Sequence, residues 1–361
     1  MNRPAPRPRP TAPRIRRLTP TVALGAAALL ALSACSSGSS DTADSSSGSS
    51  GKLTKVTLAL DWTPNTNHTG IYVAQQDGWF KAAGIDLEIV PYGSTAPETL
   101  IAHHKADFGI SYQEGVTTAR AAGQDIVSVY AVTQKTNVTI SVRADRDDIT
   151  SPKDLDGKTY AGFGAAYEAP LLKKVIQNAG GKGDFKNVTL STSAYAALYA
   201  GKADFAMPMP TWEGLEAELS GKPLKDFRLS DYGFPQIYST LIASSGTYLK
   251  DHGDIAKKFL SVVQRGYTYA AEHPAEAADK LIAANKSVLT NTELVDKSEK
   301  LLADEYYRNE DGKTGVQTVA RWKAFADFEY QAGLLTDANG KKLTAAPDTS
   351  GYFTNDYLPQ G

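Results

Sequence analysis

Apolar and polar residues alternate with two different periods along most of this chain. Every second residue is apolar at Val56, Leu58 and Leu60, which predicts a half-buried strand. Longer stretches with apolar residues at helical spacing follow. The first elements predicted in this way are a helix at 70–83, a strand at 85–90, a helix at 98–105 and a strand at 107–110. This alternation predicts an α/β architecture with largely parallel sheets.

The pattern becomes mostly helical after Gly253. Amphipathic segments at 254–272, 274–284, 291–308 and 316–331 predict four helices. Because the apolar stripe of such helices faces the core, we expect Trp322, Phe325 and Phe328 to be packing residues.

A short internal repeat divides the body of the chain. Lys-Ala-Asp-Phe-Gly at 105–109 recurs as Lys-Ala-Asp-Phe-Ala at 202–206. Five residues can recur by chance, but each copy follows a predicted helix and leads into a strand that ends in polar and aromatic residues. The shared context predicts two similar lobes that face one cleft at the carboxyl ends of their strands.

Local composition suggests where the chain passes between the lobes. A charged run at 143–148 and the Ser-Pro-Lys-Asp-Leu turn at 151–155 place the first crossing near residue 144. A return crossing is expected at 234–238. The first lobe is therefore predicted to comprise 53–144 and 239–361, and the second lobe 145–238.

The N-terminal segment has the features of an export signal. Residues 1–34 contain six arginines, no acidic residue and an apolar run at 22–32, which predicts a signal peptide. Leu-Ser-Ala-Cys at 32–35 resembles a bacterial lipobox, so we expect Cys35 to be lipidated and to anchor the protein to the extracytoplasmic face of the cell membrane. An ordinary signal peptide is the alternative, and Arg16-Arg17 leaves open Sec or twin-arginine export. Residues 35–52, rich in Ser and Gly, are predicted to be the anchor and a disordered tether.

Charge and composition exclude several classes of function. Without the leader, 32 basic residues face 40 acidic ones, a net charge of about −8, which argues against nucleic acid as a partner. Cys35 is the only cysteine, the five histidines have no metal-binding spacing, and no nucleophile elbow or P-loop is present. We therefore expect neither a metal nor another cofactor, and no catalysis.

The sequence suits the binding of a flat polar ring better than it suits catalysis. Asp-Trp-Thr-Pro-Asn-Thr-Asn-His-Thr-Gly at 61–70 follows the first strand and offers an indole, amides and an imidazole. Aromatic residues at other strand ends can sandwich a ring while amides and carboxylates bond its edge. The candidate ligand-binding residues are Trp62, Asn65, His68, Ser94, Tyr112, Gln113, Gly164, Tyr167, Glu168, Trp212, Glu213 and Tyr238. Core packing of the aromatics, solvated glutamates and a structural His68 are the alternatives.

The segments at 61–68 and 70–74 resemble solute-binding proteins for thiamine pyrimidine precursors, a family that includes the fungal hydroxymethylpyrimidine synthases. Segments at 107–113, 151–155 and 352–358 fit the same family. The resemblance implies a type II periplasmic-binding-protein fold, with two α/β lobes, a ligand cleft between them and two interlobe crossings. It also implies a monomer that delivers its solute to the membrane permease and ATPase of an ABC importer. Trp62 matches the ring-binding tryptophan, and residues 162–168 match a helix start that approaches the ligand with free N–H groups.

Departures from the family bear on activity. Ser111 stands where the synthases carry a cofactor-holding lysine, Gly115 where they carry a donated histidine, and residues 236–240 replace their cysteine-rich run. The resemblance therefore implies a binder of a hydroxymethylpyrimidine or formylaminopyrimidine. Riboflavin-like flavins and sulfonate- or nitrate-type anions are the rival ligands, and a pyrimidine synthase is the alternative of another class.

Overall fold

The computed structural model describes residues 52–165 and 167–359. The predicted signal peptide, Cys35 and the tether up to residue 51 lie outside this part of the chain. In chain order the strands are β1 (Thr54–Ala59), β2 (Ile85–Val90), β3 (Phe108–Ser111), β4 (Val127–Ala131), β5 (Thr139–Arg143), β6 (Thr159–Gly162), β7 (Lys186–Thr189), β8 (Phe205–Ala206), β9 (Leu224–Arg228) and β10 (Leu241–Ser244). The α-helices are α1 (Thr69–Gln76), α2 (Trp79–Ala82), α3 (Pro97–Ala102), α4 (Gln113–Ala121), α5 (Glu168–Asn178), α6 (Ala194–Tyr199), α7 (Leu215–Leu219), α8 (Gly246–Asp251), α9 (Gly253–Glu272), α10 (Pro274–Ala284), α11 (Thr292–Glu305) and α12 (Val319–Gln331).

Two five-stranded sheets have the same topology. The first has the order β2-β1-β3-β10-β4 and the second β7-β6-β8-β5-β9. In each sheet three neighbouring strands are parallel, but β10 and β5 run antiparallel to both of their neighbours. Four of the five strands in each sheet therefore run in one direction, as the prediction of largely parallel sheets requires, and the one reversed strand makes each sheet mixed. The chain enters the second lobe through β5 and returns to the first lobe through β10. Each of these strands therefore starts at the edge of its sheet where the parallel strands end.

The predicted lobe boundary at residue 144 differs from the observed one. The strand Thr139–Arg143 pairs with β8 and β9 of the second sheet, so the chain crosses before residue 139. The charged run that suggested the boundary belongs to the surface loop after this strand. At the crossing, the Asn137 N–H donates to Ser239 Oγ at 2.6 Å, and the Ile237 N–H donates to Thr136 Oγ1 at 3.0 Å. These bonds hold the outgoing and returning segments side by side.

Each lobe has its own apolar core. Phe108 and Phe259 stack in the first lobe with ring centroids 4.1 Å apart, and Tyr160 packs on Phe205 in the second. Helix α12 belongs to both lobes, because its Trp322 packs in a first-lobe cluster while Phe325 packs in the second core. The predicted burial of these two residues is confirmed.

The internal repeat has the same structural role in both lobes. Asp107 Oδ2 accepts the N–H of Thr57 on β1 at 2.7 Å, and Asp204 Oδ2 accepts the N–H of Thr159 on β6 at 2.8 Å. Each aspartate thereby ties the start of one parallel strand to its neighbour.

The predicted helix at 70–83 is in fact two helices. Gly78, at φ +71°, lies in the left-handed region and ends the helical path between α1 and α2. No helix in the described part of the chain is long and apolar enough to cross a membrane.

Candidate functional site

A cavity of about 110 Å³ lies between the two lobes. The first lobe lines it with Asp61, Trp62, Tyr112, Glu114 and Ser239. The second lobe lines it with Val138, Phe163, Tyr167, Glu168, Tyr195, Met207 and Met209. Aromatic rings with a few carboxyl groups suit a flat ligand that carries hydrogen-bond donors.

The topology explains why these residues meet. In the first lobe Trp62 follows β1 and Tyr112 follows β3; in the second Phe163 follows β6 and Met207 follows β8. These are the equivalent parallel strands of the two sheets, and their carboxyl ends face one another. The cavity therefore lies where open α/β sheets bind ligands.

Aromatic pairs span the cleft and form the walls of the cavity. The Trp62 ring lies 5.0 Å from that of Phe163 and 6.2 Å from that of Tyr195, and Tyr112 lies 5.4 Å from Tyr167. All three pairs join one lobe to the other. Burial raises the pKa of the three tyrosines well above their ordinary value, so their hydroxyls remain neutral donors.

Three carboxyl groups give the cavity its polarity. Asp61, Glu114 and Glu168 line it, and no Lys, Arg or His does so among the residues described. Burial raises the pKa of Glu114 to about 7. Glu114 Oε2 is buried and has no hydrogen-bond partner in the described part of the protein. The cavity thus offers acceptors and no fixed positive charge.

Glu168 is positioned by the loop before α5. The Gly164 N–H donates to Glu168 Oε2 at 3.1 Å, and Gly164 has the positive φ of +112° that glycine adopts without strain. A β-carbon at Gly162 would lie 2.7 Å from the same oxygen. The N–H of Gly164, expected from the family resemblance to face the ligand, is therefore already engaged. Burial, the largest cause, raises the pKa of Glu168.

Asn65 and His68 organise the loop that carries Asp61. Both side chains are buried, and His68 Nδ1 accepts the Asn65 N–H at 3.3 Å. The other ring nitrogen therefore bears the hydrogen, and His68 Nε2 donates to Asp61 Oδ1 at 3.0 Å. Asn65 Oδ1 accepts the Asn67 N–H at 2.9 Å. The structure thus places these two predicted residues behind the cavity lining, with Asp61 in front of them.

A buried carboxyl on α11 supports the same loop. Glu299 Oε2 accepts a hydrogen bond from the Thr69 hydroxyl, and Glu299 Oε1 lies 3.0 Å from the Tyr307 hydroxyl. The Tyr307 hydroxyl donates its one hydrogen to the Thr66 carbonyl oxygen at 2.9 Å, so the protonated Glu299 donates to Tyr307. Burial, the largest cause, raises the pKa of Glu299 to about 8.

We expect Glu299→Gln to reduce the pH dependence of stability. The folded protein keeps the Glu299 proton up to about pH 8, whereas an ordinary glutamate releases it near 4.5. Unfolding therefore releases a proton between these values, and the free energy of unfolding falls as pH rises. Removing this carboxyl should make the slope shallower by about 1.4 kcal/mol per pH unit between pH 5 and 7. Denaturant titrations at several pH values measure it. Glu305→Gln, at an exposed position of the same helix, is the control, and an unchanged slope in Glu299→Gln would refute the assignment.

Gln113 and Tyr238 join the crossing segment to the first lobe. Gln113 is fully buried; its Oε1 accepts the Tyr238 N–H at 2.9 Å and its Nε2 donates to the Arg321 carbonyl oxygen at 3.4 Å. The Tyr238 hydroxyl accepts the Thr318 N–H at 3.0 Å, and its ring lies under the Arg321 guanidinium. Both predicted residues therefore contact protein groups and do not line the cavity.

Trp212 and Glu213 line a neighbouring groove instead of the central cavity. This groove shares Trp62 and Tyr195 with the cavity, so the two spaces adjoin at these side chains. Glu213 Oε2 accepts the Met209 N–H at 3.0 Å. Ser94 is exposed in the loop between β2 and α3. Of the twelve predicted residues, the structure brings together Trp62, Tyr112, Tyr167 and Glu168 around the cavity.

Sequence reasoning missed several lining residues. Asp61 and Glu114 stand beside predicted residues at the ends of β1 and β3, so their position was the available signal. Tyr195 lies on α6 and Met207 just after β8, where the periodic pattern gives no sign of a site.

Known proteins resemble this chain over most of its length. A family model described as NMT1/THI5 like matches residues 65–277. A formylaminopyrimidine-binding protein from Halalkalibacterium halodurans is 30% identical over 279 residues, which cover 74% of this chain and 82% of that protein. A 4-amino-5-hydroxymethyl-2-methylpyrimidine phosphate synthase from Saccharomyces cerevisiae is 22% identical over 317 residues, covering 84% and 88%.

Solved structures share the fold. The alkanesulfonate-binding protein from Xanthomonas axonopodis pv. citri superposes with a TM-score of 0.61 at 17% identity, covering 79% of this chain and 95% of that one. The predicted α/β fold with two lobes around a ligand cleft is confirmed. With its periplasmic-binding-protein fold and the match over residues 65–277, this chain belongs to the NMT1/THI5-like family.

Proposed function

We propose that this protein is the extracytoplasmic solute-binding component of an ABC importer, anchored through Cys35, and that it captures a thiamine pyrimidine precursor of the formylaminopyrimidine or hydroxymethylpyrimidine type. The observation that carries the proposal is the cavity between the lobes, which combines aromatic walls with the carboxyls of Asp61, Glu114 and Glu168. Rings stack on aromatic faces, and carboxyls accept hydrogen bonds from an exocyclic amine. The formylaminopyrimidine-binding relative supports the same ligand class.

The cavity disfavours the rival ligands. The described lining residues include three acidic groups and no cationic side chain. Such a lining would repel the negative charge of a sulfonate or nitrate. A cavity of about 110 Å³ accommodates one substituted ring more readily than the three fused rings of a flavin. Closure of the lobes around the ligand then presents one conformation to the permease and its ATPase.

The positions that distinguish the synthases support binding without catalysis. The Ser111 hydroxyl donates to Glu98 in a buried pair. A β-carbon at Gly115 would lie 2.8 Å from Glu98 Oε1 and 3.1 Å from the Tyr112 ring, which leaves no room for a histidine. Both places are therefore packed for other contacts, so we assign this chain a binding role.

Calorimetric titration tests this function. We expect formylaminopyrimidine and hydroxymethylpyrimidine to bind at one site, with a Kd of about 1 µM or tighter, because the cavity encloses the ring. Riboflavin and ethanesulfonate, titrated under the same conditions, should give no saturable heat. Tighter binding of either rival would overturn the ligand assignment. A pyrimidine product formed by the protein with pyridoxal phosphate and iron would overturn the non-catalytic role.

A further inference from the structure

Glu114 lines the cavity and has a buried carboxyl oxygen without a hydrogen-bond partner in the described part of the protein. Glu114 is 4% exposed, and its Oε2 has no hydrogen-bond partner among the described residues. Leaving such an oxygen buried without a partner costs free energy, more so when the group is charged. We therefore expect a bound ligand to supply the missing hydrogen-bond partner of Glu114 Oε2.

No Lys, Arg or His among the described residues lines the cavity beside Glu114. Burial raises the pKa of the Tyr112 hydroxyl, and the charges of four carboxyls add smaller effects in the same direction: Glu98, Glu114, Asp61 and Glu168. The other groups facing Glu114 are Tyr167 across the cavity and Glu329 on α12. Glu329 is itself buried with both carboxyl oxygens unpartnered in the described structure, and burial followed by the charge of Glu114 raises its pKa.

An aminopyrimidine has an edge that complements a carboxylic acid. Its exocyclic amine donates a hydrogen bond, and the adjacent ring nitrogen presents a lone pair. A carboxylate can accept from the amine, but its second oxygen would then face that lone pair. One proton between the oxygen and the ring nitrogen converts this repulsion into a hydrogen bond.

We propose that Glu114 recognises the amine and ring-nitrogen edge of the ligand through a single proton that is taken up from solvent when the ligand binds. This inference rests on the proposed function and specifies how the site reads its ligand. The free protein with an ionised Glu114 and a neutral ligand combine with one solvent proton, which is held between Glu114 and the ring nitrogen. No other bond is made or broken.

Proton uptake should depend on pH in a defined direction. The pKa of Glu114 in the free protein is about 7, so the carboxyl is mainly ionised at pH 8.5 and mainly protonated at pH 6.5. We expect uptake of about one proton per ligand at pH 8.5 and well under half a proton at pH 6.5. Above pH 7 the affinity should fall about tenfold per pH unit.

Titration of formylaminopyrimidine into the protein in phosphate and in Tris, which have different ionisation enthalpies, measures the proton count. Glu114→Gln places a neutral amide where the acid stands, with a carbonyl oxygen for the amine and an N–H for the ring nitrogen. We expect this variant to bind without proton uptake, with pH-independent affinity, and more tightly than the wild type above pH 8.5. Glu114→Leu should bind at least about 30-fold more weakly at every pH. Glu168→Gln, a matched loss of a cavity carboxyl, should retain the proton uptake.

The outcomes separate this inference from the proposed function. Saturable binding by the wild type with no proton uptake at pH 8.5 would overturn the role of Glu114 and leave the function standing. Uptake that persists in Glu114→Gln would also overturn it. If no pyrimidine binds the wild type, the proposed function itself fails. Should Glu114→Gln not fold, Glu168→Gln decides the point: retained proton uptake supports Glu114 as the acceptor, and lost uptake overturns its role.

Discussion

Trp62→Ala is expected to weaken pyrimidine binding about 100-fold, equivalent to about 3 kcal/mol. The indole forms one wall of the cavity and contacts Phe163 and Tyr195 of the opposite lobe. Its removal costs the stacking of the ligand ring and part of the aromatic contact between the lobes. Calorimetric titration of formylaminopyrimidine measures the change.

Two other tryptophans make this test specific. The guanidinium carbon of Arg265 lies 3.7 Å from the centre of the Trp79 ring, and Trp79 does not line the cavity. Trp79→Ala should therefore lower stability while leaving the Kd within about threefold. Trp212 lines the adjacent groove. If Trp212→Ala weakens binding as much as Trp62→Ala does, the ligand occupies that groove and our placement is wrong.

Gly266→Ala is expected to lower the free energy of unfolding by about 3 kcal/mol. Helices α1 and α9 cross at Gly70 and Gly266, and a β-carbon at Gly266 would lie 2.0 Å from the Gly70 carbonyl oxygen. The helices would have to separate, which would disturb the packing directly after the loop that carries Trp62.

Gly253→Ala on the same helix is the matched control. Its β-carbon would meet the Tyr357 ring at 3.5 Å, an ordinary contact distance. We expect its free energy of unfolding, measured by denaturant titration, to stay within about 1 kcal/mol of the wild type. Equal effects in the two variants would show that loss of glycine in α9, and not the close helix crossing, is responsible.

Local patterns predicted most of the elements because backbone periodicity is a local property. The helix predicted at 274–284 is found at Pro274–Ala284, and the strand predicted at 85–90 is found at Ile85–Val90. Apolar spacing did not reveal that Gly78 interrupts the helix predicted at 70–83 and divides it into α1 and α2. It also could not reveal that Thr139–Arg143 pairs in the second sheet, because strand pairing joins residues far apart in sequence.

The candidate site was predictable only in part. Strand ends and residue chemistry identified Trp62, Tyr112, Tyr167 and Glu168, which the structure brings to one cavity. The same chemistry also suggested His68 and Gln113. Their hydrogen-bonding groups are engaged by Asp61, Asn65, Tyr238 and the Arg321 backbone. A polar side chain at a strand end can face a ligand or support the residue that does, and its sequence neighbours do not distinguish the two.

The α/β architecture, the repeated lobe and the family could be inferred without coordinates, because periodicity, the recurrence at 105–109 and 202–206 and the segment at 61–70 are properties of consecutive residues. Tertiary contacts, in contrast, are needed to see that Glu114 lines the cavity with Oε2 unpartnered among the described residues, and that Glu299 accepts a hydrogen bond from the distant Thr69 hydroxyl. A carboxyl's role depends on which distant groups lie beside it in the folded chain. Folding brings those groups together across long sequence separations, so no local pattern records them.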